Sequence, residues 1–351
     1  MLDNIGEPAA VALAGLLGGI LLGLAARLGR FCTLGAIEDA LYANDTLRLR
    51  MWGVAIGVAI IGTFSAATFG WVPTERTLYL AIAWNPAASI IGGLLFGYGM
   101  ALAGNCGFGA LARFGGGDLR SFVIVLVMGL ASFAALSGPL ARLRITLFPT
   151  SPATETVPGF AHLLGDFLGL PAIFPAIGIG LVFIATALAS RQIRCNPMIV
   201  FWGTVVGFAI VTGWVGTSLV ASHGFAPLPV VSHTFSRPLG ETMLYVMTSS
   251  GRSLSFGVGS VAGVVVGAFI GSLIKGHFRW EACEDPRELK RQITGAAMMG
   301  VGAVVALGCT VGQGLSAFSV LAFSAPVTMV AIFAGASIGL RQLISGFMPA
   351  E

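Results

Sequence analysis

Apolar stretches long enough to cross a bilayer recur along the whole chain. A helical span needs about 20 apolar residues, and stretches of this length fill nearly all of the 351 residues. They are continuous rather than alternating, which favours helices over barrel strands. With 56% hydrophobic and 10% charged residues, the chain has too few polar side chains to cover a soluble globule. We therefore predict an all-α integral membrane protein, with one transmembrane domain over residues 1–351.

Length and flanking polar residues predict about nine spans. Their approximate bounds are Pro8–Gly29, Arg50–Gly70, Asn85–Gly104, Leu119–Leu140, Pro171–Ser190, Pro197–Val220, Leu254–Ile274, Ile293–Gly308 and Ala325–Leu340. The tract Ile145–Leu170 is expected to be an external loop with a short helix near Phe160–Leu168. Asp3 and Glu7 precede Arg27, the first basic residue. This acidic start is unlike a cleaved signal peptide, so the first span is expected to be retained.

Basic residues fall mostly on one side of these spans. That side carries 14 of the 19 Lys and Arg residues: Arg27, Arg30, Arg48, Arg50, Arg113, Arg120, Arg191, Arg194, Lys275, Arg279, Arg287, Lys290, Arg291 and Arg341. Cytoplasmic loops are rich in Lys and Arg, so the N-terminus is predicted outside and the C-terminus in the cytoplasm. The net charge of +4 reflects this asymmetry and does not indicate a nucleic-acid partner.

One glycine–cysteine motif occurs three times. It reads "GGILLGLAARLGRFCTLG", "GGLLFGYGMALAGNCGFG" and "GAAMMGVGAVVALGCTVG", and its glycine and cysteine are 14 residues apart in each copy. The aligned pairs are Gly18 with Cys32, Gly92 with Cys106, and Gly295 with Cys309. A recurring unit that ends in a glycine-flanked cysteine indicates an internal repeat.

The predicted directions of the spans make this an inverted repeat. The spans before Cys32 and Cys106 run inward, whereas the span before Cys309 runs outward. Inverted repeats are typical of secondary transporters. We predict pseudo-repeats over about residues 8–140 and 197–345, with an extra span over about 171–190. In that alignment Thr217 takes the fourth cysteine position.

Helix breaks next to the cysteines predict a substrate path. After each cysteine the chain continues for a dozen or more residues before the next span, which we interpret as a re-entrant half-helix. Non-helical backbone at membrane depth is tolerated where it lines a cavity or is buried in protein. The supporting breaks are predicted at Gly35, Gly107, Gly109 and Gly312. Arg237, in another predicted external insertion, is a candidate for attracting an anion.

A plain packing role competes with this interpretation. Cysteine behaves as a small hydrophobic residue and is often buried. We keep the packing interpretation for Cys195 and Cys283, which lie outside the repeat. For Cys32, Cys106 and Cys309 a functional role is favoured, because packing does not require a thiol at the same offset beside each break.

The motifs resemble the YeeE/YedE family of membrane proteins. The resemblance rests on "GRFCTLGAIED", "LAGNCGFGALARFGGGDLRSF", "SRPLGETMLYVMTS" and "LGCTVGQGLSAFS" and extends over essentially the whole chain. It implies an hourglass-shaped inner-membrane protein in which Cys32, Cys106 and Cys309 relay thiosulfate. It also implies a small cytoplasmic sulfur-carrier protein as a partner. One departure is "GNCGFG", where Gly107 replaces a hydroxyl-bearing residue of many members.

Thiol chemistry is compatible with anion transport. A neutral thiol can donate a weak hydrogen bond, and weak donors suit a path that must also release its ion. Two alternatives are a membrane thiol redox or persulfide relay enzyme and a soft-metal ion transporter. The sequence has no Cys-x-x-Cys motif and no clustered Met or deep carboxylates, so we favour a transporter that is not an enzyme and has neither cofactor nor metal.

Overall fold

The computed structural model describes residues 6–153, 159–224, 228–282 and 285–346, so Cys283 lies outside the described residues. Across these ranges the chain is helical with no β-strand. Two isolated bridges pair Ile82 with Pro152 and Asp118 with Glu281. The predicted all-α class is therefore confirmed.

The first part of the chain, up to residue 153, contains eight α-helices within the described residues. They are α1 (Glu7–Leu28), α2 (Thr33–Glu38), α3 (Leu47–Thr68), α4 (Leu78–Ala81), α5 (Pro86–Ala103), α6 (Gly107–Gly115), α7 (Leu119–Leu136) and α8 (Ala141–Leu147). A π-helical turn, Asp39–Ala43, extends α2, and a short 3-10 turn, Thr74–Arg76, precedes α4. Long apolar helices thus alternate with short ones.

The remaining described residues contain eight more α-helices. They are α9 (Phe160–Leu168), α10 (Ile173–Leu188), α11 (Arg191–Arg194), α12 (Pro197–His223), α13 (Arg237–Thr248), α14 (Phe256–Ile274), α15 (Pro286–Val305) and α16 (Ser324–Ser345). A π-helix, Gly312–Ala317, lies between α15 and α16. The short helix expected near Phe160–Leu168 is α9.

Polar caps fix where several helices begin. Asn85 precedes Pro86 and accepts from the N–H of Ala88 at 3.2 Å, which starts α5. Asp118 accepts from the N–H of Arg120 at 3.0 Å and starts α7. These capping residues lie in the sequence just before each apolar run.

Within the described ranges, seven helical segments are long and apolar enough to cross a membrane. They are Glu7–Ala43, Leu47–Thr68, Pro86–Gly115, Leu119–Leu136, Pro197–His223, Phe256–Ile274 and Ser324–Ser345. The predicted span Pro171–Ser190 corresponds to α10, a shorter apolar helix of 16 residues. The predicted span Ile293–Gly308 falls largely on α15, whose first turns are charged. A multi-pass membrane protein is confirmed, while the count of nine spans and the inverted repeat stay predictions.

Glycines let the central helices approach closely. A side chain at Gly295 would meet the carbonyl oxygen of Gly99 at 2.5 Å, and one at Gly99 would meet the carbonyl oxygen of Gly295 at 2.6 Å. Gly92 and Gly302 make the same reciprocal contact about two turns away. The backbones of α5 and α15 are therefore in direct contact, as small residues permit in membrane helices.

Candidate functional site

The three repeated cysteines share one local geometry. Each lies directly before a short helical segment, and its Sγ accepts the backbone N–H of the glycine three residues on. The N···Sγ distances are 3.5 Å for Gly35 to Cys32, 3.3 Å for Gly109 to Cys106 and 3.5 Å for Gly312 to Cys309. Each sulfur thus takes the position of an N-capping oxygen. All three cysteines are free thiols.

The breaks in the chain come before the cysteines. Left-handed backbone occurs at Arg30 (φ 56°), Gly104 (φ 73°) and Leu307 (φ 56°), between each long helix and its cysteine. The four predicted break residues instead lie in the first turns of the short helices: Gly35, Gly107, Gly109 and Gly312. This corrects the sequence interpretation, since the break itself is at the end of the preceding helix.

Two of these glycines make room for neighbours of the thiols. A side chain at Gly35 would collide with the guanidinium of Arg48. A side chain at Gly312 would lie 2.6 Å from Oγ1 of Thr234 and 3.1 Å from the hydroxyl of Tyr79. The absence of a side chain therefore brings polar groups next to Cys32 and Cys309.

Cys106 is the middle member of the set. Its side chain is fully buried, Cys309 is 1% exposed, and Cys32 is half-buried. Cys106 and Cys309 belong to one buried cluster, and Cys32 packs against that cluster. The structure therefore brings the three predicted residues together, whereas Cys195 is exposed and belongs to another part of the surface.

Three buried aromatic rings follow the same line as the cysteines. Phe31 precedes Cys32, and its ring lies 6.4 Å from that of Phe108, in the helix after Cys106. The ring of Phe108 lies 5.3 Å from that of Phe235. Because the N–H of Phe235 donates to Cys309 Sγ at 3.2 Å, the aromatic series ends at the third thiol.

The segment 228–236, directly before α13, completes the surroundings of Cys309, and sequence analysis missed its role. Thr234 Oγ1 lies 3.7 Å from Cys309 Sγ. His233 is buried, with Nδ1 2.7 Å from Ser260 Oγ, and its carbonyl accepts from Ser316 Oγ at 2.6 Å. The signal available in the sequence was a polar "SHTFS" run directly before α13.

Thr310 is a further residue that sequence analysis missed. It follows Cys309 and is fully buried. Its hydroxyl faces the Cys106 thiol, yet Oγ1 makes no hydrogen bond of good geometry with another described residue. A buried hydroxyl without a partner costs free energy, which a polar ligand between Cys106 and Cys309 would offset.

Thr217, aligned with the fourth cysteine position, is placed differently from the three thiols. It lies within the continuous helix α12. Its hydroxyl contacts Gly213 O at 2.9 Å and Val231 O at 2.8 Å. Because no break or short helix follows Thr217 directly, this position lacks the cap geometry of the other three.

Arg237, the candidate for attracting an anion, is the first residue of α13. Its side chain is 64% exposed and its Nε donates to Glu241 Oε1 at 2.6 Å. The ion pair offsets much of the positive charge that Arg237 could offer to an anion.

Two cavities lie at the two ends of the cysteine series. One, of about 280 Å³, is lined by Tyr79, Arg144 and Leu307 and adjoins the Cys309 region. The other, of about 510 Å³, contains Cys32 in its wall. Among the described residues, His, Cys, Asp and Glu form no group of three suited to holding a metal ion.

Comparison with known proteins places this geometry in context. Residues 28–338 match the sequence model of the family described as Sulphur transport. The Thiosulfate transporter TsuA of Spirochaeta thermophila is 26% identical over 322 residues, covering 88% of this chain and 92% of that protein. The Thiosulfate transporter TsuA of Escherichia coli is 25% identical over 340 residues, covering 92% of each. The Probable transporter YedE of Escherichia coli is 32% identical over 95 residues, covering 27% of this chain and 22% of that protein.

Proposed function

The chain belongs to the sulphur transport family, as its resemblance to YeeE/YedE proteins predicted, and from this premise we propose that it imports thiosulfate or a closely related sulfur dianion. It is a membrane transporter rather than an enzyme, as the names of its relatives indicate. Two relatives that match about nine-tenths of this chain are named thiosulfate transporters, which supports the choice of substrate.

The shared geometry of Cys309, Cys106 and Cys32 is the observation that carries the proposed mechanism. Each Sγ accepts a backbone N–H within its own short helix. The sulfur acts as an acceptor in that bond, which leaves its S–H proton available to a substrate. A dianion loses its hydration in a protein path and needs donors in place of water. We propose that the three thiols pass it on by weak S–H hydrogen bonds.

The orientation of the proposed path follows from the distribution of basic residues. With 14 of 19 Lys and Arg residues on one predicted side, the N-terminus is outside and the C-terminus cytoplasmic. Import through a bacterial inner membrane then runs from Cys309, past Cys106 near the midplane, to Cys32. A small cytoplasmic sulfur-carrier protein is the proposed acceptor, and the lipid bilayer surrounds the chain.

Uptake in cells lacking other sulfur importers tests this proposal. Cells expressing the chain are given labelled thiosulfate, with sulfate, sulfite and selenium anions as competitors. We expect thiosulfate to accumulate and to be the most effective competitor. Preference for another anion would replace the substrate, and no accumulation of any of these anions in cells that contain the protein would overturn the proposal.

A further inference from the structure

The cavity beside Cys32 is strongly basic. Its wall includes five cationic side chains: Arg27, Arg30, Arg48, Arg113 and Lys275. Glu38 is the carboxylate in the same wall, and Asp39 pairs with Arg48 at 3.0 Å. The wall therefore carries more positive than negative charge. Asp118 and Glu281 also act electrostatically on Arg27, but both pair with Arg120, at 3.3 and 3.4 Å. A cleft lined by one sign of charge concentrates ions of the opposite sign.

Two of the guanidinium groups are held in place by the fold. Arg27 Nε donates to Ser272 Oγ at 2.7 Å, and its guanidinium packs on Gly116. The guanidinium of Arg48 packs on Gly35, whose N–H donates to Cys32 Sγ. Groups fixed in this way lose little freedom when an oxyanion binds.

Two other arginines of this cavity wall have guanidinium groups that can still form hydrogen bonds to an anion. Among the described residues, neither Arg30 nor Arg113 has a side-chain hydrogen bond or an ion pair. Arg30 has left-handed backbone, with φ 56°, directly before the Cys32 segment. Planar guanidinium groups bind oxyanions through paired hydrogen bonds.

The positive groups crowd one another. Burial, together with the charges of Arg30 and Arg27, lowers the pKa of Lys275. Arg113 and Arg27 also repel each other electrostatically. A bound dianion would relieve this repulsion, whereas a cation would increase it.

We propose that the Cys32 cavity is a second anion site, which holds a divalent tetrahedral oxyanion next to the Cys32 thiol. With the proposed direction of transport, this cavity is the release end of the path. The role of the cavity in release therefore rests on the proposed function. Anions of this class on the cytoplasmic side, such as sulfate, then occupy the cavity and slow release of the transported ion.

Charge-selective labelling of Cys32 tests the site without measuring transport. Purified protein in nanodiscs is treated with an anionic sulfonatoethyl or a cationic trimethylammonioethyl methanethiosulfonate, and the Cys32 peptide is followed by mass spectrometry. We expect the anionic reagent to react about tenfold faster, since the cavity concentrates anions. Sulfate, which does not react with either reagent, should protect Cys32 more than a monovalent methyl sulfate does.

Matched arginine variants show which side chains make the anionic reagent label Cys32 faster than the cationic one. Arg113→Gln removes a charge from the cavity and no hydrogen bond from the fold, so it should lower the ratio of the two rates at least about threefold. Arg30→Gln should act in the same direction. Arg191→Gln is the control, because Arg191 is exposed and lies outside the cavity wall.

Either of two results would overturn the second site. One is equal labelling by the two reagents, and the other is the same loss of preference in Arg191→Gln as in Arg113→Gln. Failure of thiosulfate uptake would leave the labelling result intact and would count against the proposed function alone. Uptake with no charge preference at Cys32 would count against the second site alone.

Discussion

The Sγ atom of Cys106 accepts a hydrogen bond from the backbone N–H of Gly109, 3.3 Å away. The same bond joins Gly35 to Cys32 and Gly312 to Cys309, each at 3.5 Å. A thiol that caps a short helix is fixed in direction, because the N–H holds its sulfur. The three sites therefore present one chemical group in one local geometry.

Removing the two buried thiols should stop transport and leave the fold intact. Cys106→Ala and Cys309→Ala are each expected to abolish thiosulfate uptake. Loss of the sulfur removes little buried volume, so the cost in stability should be about 1 kcal/mol or less. Uptake is compared with membrane expression and melting temperature for each variant.

Other cysteines serve as controls for these variants. Cys195→Ala should transport normally, because Cys195 is exposed and away from the site. Cys32→Ala should be milder than the other two, because Cys32 borders a wide cavity that supplies further donors. Loss of uptake in Cys195→Ala with normal expression would mean that the wrong thiols had been chosen.

Serine variants separate hydrogen bonding from the softness of sulfur. Cys106→Ser and Cys309→Ser keep a donor at each position and remove the polarizable atom. We expect both to transport more slowly than the parent protein, as measured by initial uptake rates. Parent-like rates in both would show that a hydroxyl suffices and that sulfur has no specific role.

The Thr310 hydroxyl should contribute to the path. Thr310→Val keeps the shape of the side chain and removes a buried hydroxyl that makes no well-formed hydrogen bond with any other described residue. Because an unpaired buried hydroxyl is unfavourable, this variant should melt at the same or a higher temperature and yet transport more slowly. Thr310→Ser restores the hydroxyl and should restore uptake; slow uptake in both variants would assign Thr310 to packing.

Gly312 and Gly109 occupy equivalent positions but differ in their surroundings. An alanine at Gly312 would push against Thr234 and Tyr79, whereas the nearest atom to one at Gly109 is Cys106 Sγ at 3.6 Å, an ordinary contact. Both variants keep the N–H that donates to the cysteine sulfur. We expect Gly312→Ala to lose uptake and Gly109→Ala to retain it. The reverse order would contradict the assigned neighbours of Cys309.

Close helix contact should make Gly295 essential for stability. A side chain there meets the backbone of α5, including Gly99 O at 2.5 Å. Gly295→Ala should therefore lower stability by about 1–3 kcal/mol, the usual cost of overpacking. Gly178→Ala is the control, since nothing lies within 4 Å of its added methyl group. Thermal unfolding in detergent should show a lower melting temperature for Gly295→Ala only.

The amino-acid sequence by itself determined the class of the protein and the identity of its three central thiols. Apolar runs can satisfy their backbone in lipid only as helices, so composition and length specify an all-α membrane protein. The equal spacing of Gly18 to Cys32 and of Gly295 to Cys309 identified the thiols, because a repeated unit folds into a repeated local structure.

Only the tertiary structure decided what surrounds those thiols. Phe235 and Thr234 contact Cys309 across more than seventy residues of chain. Arg48 enters the cavity wall that contains Cys32 because Gly35 leaves room for its guanidinium. Such contacts join separate segments that no local pattern relates. The position of each helix break could not be predicted from the sequence either. Arg30 and Leu307 have left-handed backbone, a conformation that glycine normally adopts. Packing of the surrounding helices overrides that local preference.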